Sequence, residues 1–274
     1  MDVFWLEQCV ADLPEHYDWL SSHDMARLHG MRFEKRRVDW QLGRWTAKRA
    51  LAAYWNVPAH PESLARIEIR PAASGAPEVF IAGEPTGVTI SLSHRAGIAI
   101  CAVANSGALG CDLEIVEPRS DAFVADYFTT EEQEFVAQVP ATDRSQWLAV
   151  LWSAKESALK AMRIGLRMDT RSLSVDLLVR AAGIDNPYGN DPALPWQLPY
   201  TSTGWHPLQV RCGASLLFQG WWQQAHNLLR TMVAVPAPSQ PISLQEAGLC
   251  RSPAASLSAS HIAKKKGGTT AVAL

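Results

Sequence analysis

Two short stretches carry most of the information on fold and chemistry: GCDLE at residues 110–114 and WSAKESALK at residues 152–160. The first lies in an apolar run typical of a strand, where alternate side chains share a face, so Asp112 and Glu114 point the same way. The second lies in a predicted helix and brings Glu156 together with Lys155 and Lys160. Three carboxylates and two ammonium groups are suited to holding a hard cation and a phosphate.

Each stretch also has a less specific interpretation, which the spacing alone leaves open. The pair Asp112 and Glu114 could be two solvated acids on an exposed strand face. Against this, charges within an apolar strand cost several kcal/mol, roughly, unless they are paired or bound to a metal. Glu156 and Lys160 could form a surface ion pair worth about 0.3–0.5 kcal/mol.

Composition narrows the class of protein. The chain has 274 residues, is 47% hydrophobic and has a formal net charge of -2, so we expect one large or two small domains and neither nucleic acid nor an anionic membrane as partner. Its five cysteines are scattered without a CxxC pair, which favours a reducing cytoplasm. The N-terminus lacks the pattern of a signal peptide, and no apolar run is long enough to span a membrane.

The hydrophobic pattern predicts an α+β fold. Helices are expected over residues 22–56, 123–139 and 145–162, and strands over 67–70, 78–81, 88–93, 98–104, around 110–114, 173–179, 208–212, 214–220 and 230–235. Each half thus runs from helix to strands. We expect two similar α+β lobes in a pseudo-twofold arrangement with the active site at their junction, spanning residues 1–108 and 109–235, although no convincing sequence repeat is visible. Residues 236–274 are rich in Pro, Ser and Ala, and a disordered tail is predicted there.

The two stretches resemble the motifs of the 4′-phosphopantetheinyl transferase superfamily. GCDLE resembles G-[VIC]-D-[ILV]-E, and WSAKESALK resembles W-[SC]-x-K-E-[AS]-x-x-K at a matching separation. SLSH at residues 91–94 and LGR at residues 42–44 resemble two further elements upstream. The length is similar to that of the surfactin-type, two-lobed class, and the resemblance covers about residues 20–220.

The resemblance implies transfer of the phosphopantetheine arm of coenzyme A to a serine of an apo carrier protein, with release of adenosine 3′,5′-bisphosphate. It implies Mg²⁺ bound by Asp112, Glu114 and Glu156, with Glu156 or a nearby carboxylate as the base. Lys160 would stabilise the leaving phosphate. The other implied roles are support of the pyrophosphate by Lys155, contacts to the nucleotide phosphates by Arg44, His94, Arg37 and Lys48, and an acid near the site at Glu132.

One departure concerns the loop 75–77, where the family often has Gly-Lys-Pro and this chain has Gly-Ala-Pro. A phosphate contact is therefore missing at Ala76, or Arg70 or Arg95 replaces it. This departure supports the alternative of a degenerate, non-catalytic module that binds coenzyme A or a carrier. Another Mg²⁺-dependent phosphotransferase ranks last, because no glycine-rich phosphate loop is present.

The expected macromolecular partner is a carrier protein of a peptide, polyketide or fatty-acid synthase, and the sequence does not choose among these. Carriers usually expose an acidic recognition helix, for which the basic face near Arg36 and Arg37 is a plausible partner. A two-lobed chain forms its own site at the lobe junction, so the resemblance implies a monomer.

Overall fold

The computed structural model describes residues 1–177 and 204–245. Within these ranges it has six α-helices: α1 Ser22–His29, α2 Glu34–Tyr54, α3 Pro61–Ala65, α4 Asp121–Tyr127, α5 Thr130–Gln138 and α6 Arg144–Ala161. The strands are β1 Phe4–Cys9, β2 Ile67–Pro71, β3 Pro77–Ile81, β4 Glu84–Pro85, β5 Thr89–Arg95, β6 Ile98–Ala104, β7 Ala108–Ile115, β8 Leu173–Asp176, β9 His206–Cys212, β10 Leu216–Ala225, β11 Leu228–Val235 and β12 Ile242–Ser243. This mixture confirms the predicted α+β class.

The first sheet has the strand order β12-β1-β6-β5, and α2 packs against it. Apolar side chains of α2 such as Ala47 and Leu51 meet Leu6 of β1 and Val103 of β6 in one fully or almost fully buried core. A small sheet, β2-β3-β4, contributes Ile69 and others to the same core. Burial of these side chains stabilises the fold in proportion to the apolar area removed from water.

The second sheet has the order β7-β11-β10-β9-β8, with every pair antiparallel. Helix α6 lies on β7 and β11, and its apolar stripe packs with Phe218 and Leu229 in a second core. This stripe includes Val150 and Leu159, which are almost completely buried. The helix predicted over residues 145–162 is confirmed within one residue at each end.

The two large sheets meet where β5 lies beside β7. The Cys111 backbone N–H donates to Ser91 Oγ at 2.9 Å, joining one strand of each sheet. A second link joins β1 to β11, because Arg230 donates two hydrogen bonds to the carboxylate of Glu7, both side chains being largely buried. The motif residues of β7 therefore lie at this junction of the two sheets.

The close packing of β7 on α6 explains why residue 110 of the first motif is glycine. A Cβ atom added there would lie 1.8 Å from the Ser157 carbonyl oxygen and 2.8 Å from the Ala161 nitrogen. Only glycine lets β7 approach the backbone of α6 so closely. Gly43 on α2 is different, since a Cβ there would meet nothing within 4 Å.

Several predicted boundaries need correction. The helix predicted over 22–56 is two helices, since Gly30 ends α1 and an extended Phe33 precedes α2. The helix predicted over 123–139 is likewise divided, because Thr129 forms the N-cap of α5. Part of the tail predicted from residue 236 is paired, since β12 runs parallel to β1. The rest of that tail, from residue 246, lies outside the described residues.

A membrane-spanning helix is not found among the described residues. Over 1–177 and 204–245, no helix is both long enough and apolar enough to cross a bilayer. The longest helix there, α2, carries charged side chains along its whole length, among them Arg36, Arg44 and Arg49.

Candidate active site

Asp112 is the most strongly bonded acid of the site. It is 1% exposed on β7, and its Oδ1 accepts hydrogen bonds from Ser93 Oγ at 2.8 Å and Lys160 Nζ at 2.7 Å. Its Oδ2 accepts one from Ser153 Oγ at 2.8 Å. Lys160 also donates to Ser93 at 2.9 Å. The strand–helix packing therefore places a charged pair, anchored by two hydroxyls, between β5, β7 and α6.

The charges of this pair stabilise each other. Burial on its own raises the pKa of Asp112, but the Lys160 ammonium and three hydrogen bonds outweigh it and bring the pKa below its usual range. Burial on its own lowers the pKa of Lys160, but the Asp112 carboxylate outweighs it and raises the pKa. Lys160 therefore stays cationic, and its side chain keeps 28% of its surface accessible.

Glu114 is held by groups on two sides. Trp152 of α6 donates its Nε1–H to Glu114 Oε1 at 3.2 Å, and Arg119 donates to Oε2 at 3.1 Å. Arg95 approaches Oε2 at 3.6 Å and pairs with Glu117 at 2.8 Å. Burial and the charge of Asp112 nevertheless raise the pKa of Glu114. Hydrogen bonds thus fix the orientation of the Glu114 carboxylate, while the negative charge of Asp112 lies close to it.

Glu156 has the most perturbed carboxyl group of the three. Burial is the main cause, and the charges of Asp112 and Glu114 add to it, so that the pKa rises to about 7. As the side chains stand, no group of three or more His, Cys, Asp and Glu residues in the described ranges is arranged to hold a metal ion. The Asp112 carboxylate is paired with Lys160, and the Glu114 carboxylate accepts hydrogen bonds from Trp152 and Arg119. The assignment of these three acids as metal ligands stays a prediction.

Lys155 lies in the interior, which does not agree with its predicted contact to a pyrophosphate. Its side chain is fully buried and pairs with Glu132 Oε2 at 2.6 Å. It also donates to the carbonyl oxygens of Tyr127 at 3.2 Å and Thr170 at 2.9 Å. Both carboxylate oxygens of Glu132 also have backbone partners, since they accept hydrogen bonds from the Thr129 and Val175 N–H groups. Both residues therefore hold α4, α5, α6 and β8 together.

Lys48 is buried in the same way, and its contact to a nucleotide phosphate stays a prediction. It is 0% exposed, pairs with Asp24 at 2.7 Å and donates to the Trp19 carbonyl oxygen at 3.1 Å. Arg44, one turn earlier on α2, approaches Asp24 at 3.5 Å. Burial is the main reason that the pKa of Arg44 falls to about 10.

Two neighbouring clefts adjoin the site. One, of about 410 Å³, is lined by Lys160, Arg44, Arg70 and the loop 74–77 that contains Ala76. The other, of about 480 Å³, is lined by Arg44, His94, Arg36 and others on α2. Arg44 contributes to both clefts, and His94 lies in the second. Arg37 is half-buried and is not among the lining residues of either.

The structure also adds contacts that the sequence alone did not predict. Ser153 and Ser93 anchor Asp112, and Thr231 of β11 lies 2.9 Å from Ser153 and 2.6 Å from Ser157. Ser93 and Ser153 belong to the quoted motifs, so a signal was present. No signal in the sequence pointed to Arg119, because its contact to Glu114 depends on the path of the chain after β7.

A short repeat becomes visible once burial is known. The sequence WTAK at residues 45–48 of α2 recurs as WSAK at residues 152–155 of α6. Each lysine is buried, and each pairs with the acid of a capping box on an earlier helix: Asp24, capped with Ser21, or Glu132, capped with Thr129. Four residues are too few to stand out as a repeat in the sequence without the shared ion pair.

Comparison with known proteins agrees with the motifs. Residues 108–207 match the family model of the 4′-phosphopantetheinyl transferase superfamily. The 4′-phosphopantetheinyl transferase HetI of Nostoc sp. (strain PCC 7120 / SAG 25.82 / UTEX 2576) is 26% identical over 163 residues, which cover 59% of this chain and 67% of that protein. Residues 108–207 are thus similar to this superfamily. The two matches support 4′-phosphopantetheinyl transferase activity and confirm the predicted class of enzyme.

Proposed function

We propose that this protein transfers 4′-phosphopantetheine from coenzyme A to a serine of an apo carrier protein, releasing adenosine 3′,5′-bisphosphate. The observation that carries the proposal is the Lys160–Asp112–Ser93 cluster on the wall of a cleft, with Glu114 and Glu156 beside it. This arrangement offers an accessible cation for phosphate and carboxylates for a proton or a metal ion. The superfamily match supports the same reaction.

The chemistry of the acids fits Mg²⁺. Carboxylate oxygens are its usual protein ligands. Burial and the charges of neighbouring carboxylates raise the pKa values of Glu114 and Glu156. A bound cation would offset both effects by stabilising the ionised carboxylates. We assign Asp112, Glu114 and Glu156 to hold the ion, which when bound neutralises charge on the pyrophosphate.

The remaining steps belong to side chains of this protein. The serine oxygen forms a bond to the phosphorus next to the pantetheine arm, and the bond from that phosphorus to the bridging pyrophosphate oxygen breaks. Glu156 or a nearby carboxylate is assigned to accept the serine proton, because a positioned carboxylate can act as a general base. Lys160, kept cationic by Asp112, stabilises the negative charge on the departing phosphate.

The nucleotide end of coenzyme A is assigned to the basic clefts. Arg44 lines both clefts and His94 lines the one formed by α2 and β5, so each can donate hydrogen bonds to phosphate oxygens. Arg37 remains a candidate on the same helix, though outside the lining of the clefts. Lys48 and Lys155 are left out of the ligand set because both are buried in ion pairs.

We further propose the surfactin-type, two-lobed class with a pseudo-twofold arrangement and a monomeric state. The recurrence of WTAK and WSAK, each with a buried lysine paired to a capping acid, supports two related lobes. Each large sheet also carries one long helix, α2 on the first and α6 on the second. We also propose a reducing cytoplasm as the location of this protein.

The carrier is proposed to dock on the basic face of α2. Arg36 is exposed and Arg37 half-buried there, beside Phe33, which is 73% exposed. This combination of charge and apolar surface suits an acidic, amphipathic recognition helix. Charge reversal of Arg36 and Arg37 to Glu is expected to raise KM for the carrier; an unchanged KM would remove this part of the proposal.

Intact-mass spectrometry tests the reaction. Apo carrier proteins of fatty-acid, peptide and polyketide synthases are incubated with the protein, coenzyme A and Mg²⁺, with Asp112→Asn as control. We expect each carrier that is a substrate to gain the mass of one phosphopantetheine with the wild type but not with the control. The carriers that gain mass identify the partner.

The alternative function is a module that binds coenzyme A without reaction. Ala76 favours it, because the family often has a lysine at this position. Binding of coenzyme A with no gain of mass on any carrier would support it.

A further inference from the structure

The C-terminus of α6 ends in a conformation that usually belongs to glycine. The Arg163 backbone N–H donates to the Lys160 carbonyl at 2.9 Å, and the Ile164 N–H donates to that of Leu159 at 3.2 Å. This double pattern is the Schellman motif, in which the residue after the C-cap adopts a left-handed conformation. Arg163 does so with a φ of 59°. A side chain at this position is strained, so the arginine is not explained by the turn itself.

Arg163 is one of the residues that line the cleft of about 410 Å³. It lines this cleft together with Lys160 and the loop 74–77, which has no charged side chain. The segment after α6 and this loop are in direct contact, since Arg167 donates to the Ser74 carbonyl oxygen at 3.3 Å. Arg163 therefore places a positive charge on the same cleft as Lys160 and the uncharged loop.

Most other arginines near this cleft are already engaged with carboxylates. Arg70 forms an ion pair with Glu68 at 2.6 Å and stacks over Phe80. Arg44 lies against Asp24, and Arg95, which does not line this cleft, is paired with Glu117. Within the described residues, Arg163 is exposed and no carboxylate pairs with it. A guanidinium without a counter-ion in a cleft is available for an anionic ligand.

We propose that Arg163 binds a phosphate group of coenzyme A in this cleft, supplying the cation that the loop lacks at Ala76. The proposal rests on the proposed function and names a ligand contact for it. A planar guanidinium can donate two parallel hydrogen bonds to phosphate oxygens. The ligand contact gives a reason for arginine at a backbone position that favours glycine.

A purely structural role is distinguishable from this one. A cation near the end of a helix also interacts favourably with the helix dipole, and that role would be reflected in stability alone. Arg163→Gly removes the guanidinium and places the preferred residue in the left-handed turn, so the variant is expected to fold at least as well as the wild type. Arg66→Gly is the matched control, because Arg66 is an exposed C-cap residue of α3 outside this cleft.

Calorimetric titration of the full chain with coenzyme A measures the contact without turnover. We expect Arg163→Gly to raise Kd about tenfold, as for the loss of one charge-assisted hydrogen-bonded contact, while Arg66→Gly stays at the wild-type value. KM for coenzyme A should rise in parallel, with kcat changed little. Arg163→Lys should recover part of the affinity, and so should Ala76→Lys placed in the Arg163→Gly background.

The possible outcomes distinguish the Arg163 contact from the proposed function. A wild-type chain that binds no coenzyme A would overturn the proposed function and this contact with it. A wild type that binds, beside an Arg163→Gly variant with unchanged Kd, would overturn this contact alone. A loss of affinity in Arg27→Ala, the exposed arginine on the α1 side of the same cleft, without one in Arg163→Gly would also overturn it and assign the phosphate to α1.

Discussion

The two long helices, α2 and α6, share a structural element but differ in the residues that come after it. Both have W-[ST]-A-K, and both bury its lysine against an acid that also caps an earlier helix. After this lysine, α6 continues with Glu156 and, five residues beyond Lys155, Lys160. At the same positions α2 has Arg49 and Ala53. The shared part stabilises each half, and the chemistry comes from residues that only α6 has.

This difference shows why residue type and spacing are insufficient to assign a role. Lys155 and Lys160 belong to one motif, yet the first is fully buried with Glu132 and the second is accessible to a cleft beside Asp112. Burial decides between them, because a fully buried, paired ammonium cannot reach a substrate phosphate.

The largest effect is expected where α6 touches β7. Gly110→Ala should destabilise the protein by about 3 kcal/mol or more, since a Cβ 1.8 Å from a backbone oxygen cannot be accommodated by a change of rotamer. Denaturant unfolding measures it. Gly43→Ala on α2 is the control, where the open space predicts a gain of about 0.5–1 kcal/mol. Equal stability of the two variants would show that the close approach is not what requires glycine.

The shared lysines should behave alike. Lys48→Met and Lys155→Met should each lower the free energy of unfolding by about 3–5 kcal/mol, because each leaves a buried carboxylate without its partner. Thermal and denaturant unfolding check this. Neutralising the acid as well, in Lys155→Met/Glu132→Gln, should recover most of the loss while keeping an oxygen for the Thr129 N–H. A single variant with unchanged stability and lower affinity for coenzyme A would reverse our assignment of that lysine.

The lysine found only on α6 should affect rate more than stability. Lys160→Gln is expected to lower kcat about 10²–10³-fold, the size of effect seen when a donor to developing negative charge is removed. Ala53→Gln changes the corresponding exposed position of α2 and should leave kcat unaltered. Steady-state kinetics on a carrier that the wild type modifies would measure both, and a Lys160→Gln enzyme of normal kcat would exclude Lys160 from the reaction.

The smallest difference in activity is expected between variants of Trp45 and Trp152, the first residues of WTAK and WSAK. Trp152 donates to Glu114 and packs against Phe123 and Tyr127, so Trp152→Phe removes the hydrogen bond but keeps an aromatic ring. Loss of this bond should lower activity by about tenfold, or about 1.4 kcal/mol. Trp45→Phe on α2 has no such acid, since the Trp45 Nε1 is buried without a hydrogen-bond partner in the described structure. Equal activity of both variants would contradict positioning of Glu114 by Trp152.

Local patterns in the sequence were enough to predict part of this structure. The apolar stripe of α6 and the alternation in β7 predicted those elements, and the resemblance to the superfamily motifs implied that Asp112, Glu114, Glu156 and Lys160 share one site. These patterns did not predict the strand β1 or the division of the helix at residues 30–33. The strand β1 depends on pairing with the distant strands β6 and β12, whereas the helix division coincides with Gly30, the C-cap of α1.

The burial of Lys48 and Lys155 could not be predicted for a similar reason. Their partners Asp24 and Glu132 lie on other helices, and each acid has in the sequence only the pattern of a capping residue. Charged side chains are rarely fully buried, so solvent or ligand contact was the natural expectation. Arg163 gave no signal either, because its left-handed conformation depends on how α6 ends.

The most direct test measures the intact mass of an apo carrier over time, with coenzyme A and Mg²⁺, for the wild type, Lys160→Gln and Lys155→Met/Glu132→Gln at equal concentrations of folded protein. We expect rapid gain of one phosphopantetheine with the wild type and the double variant, and a rate about 10²–10³-fold lower with Lys160→Gln. Normal modification by Lys160→Gln together with none by the double variant would contradict the roles assigned to the two lysines.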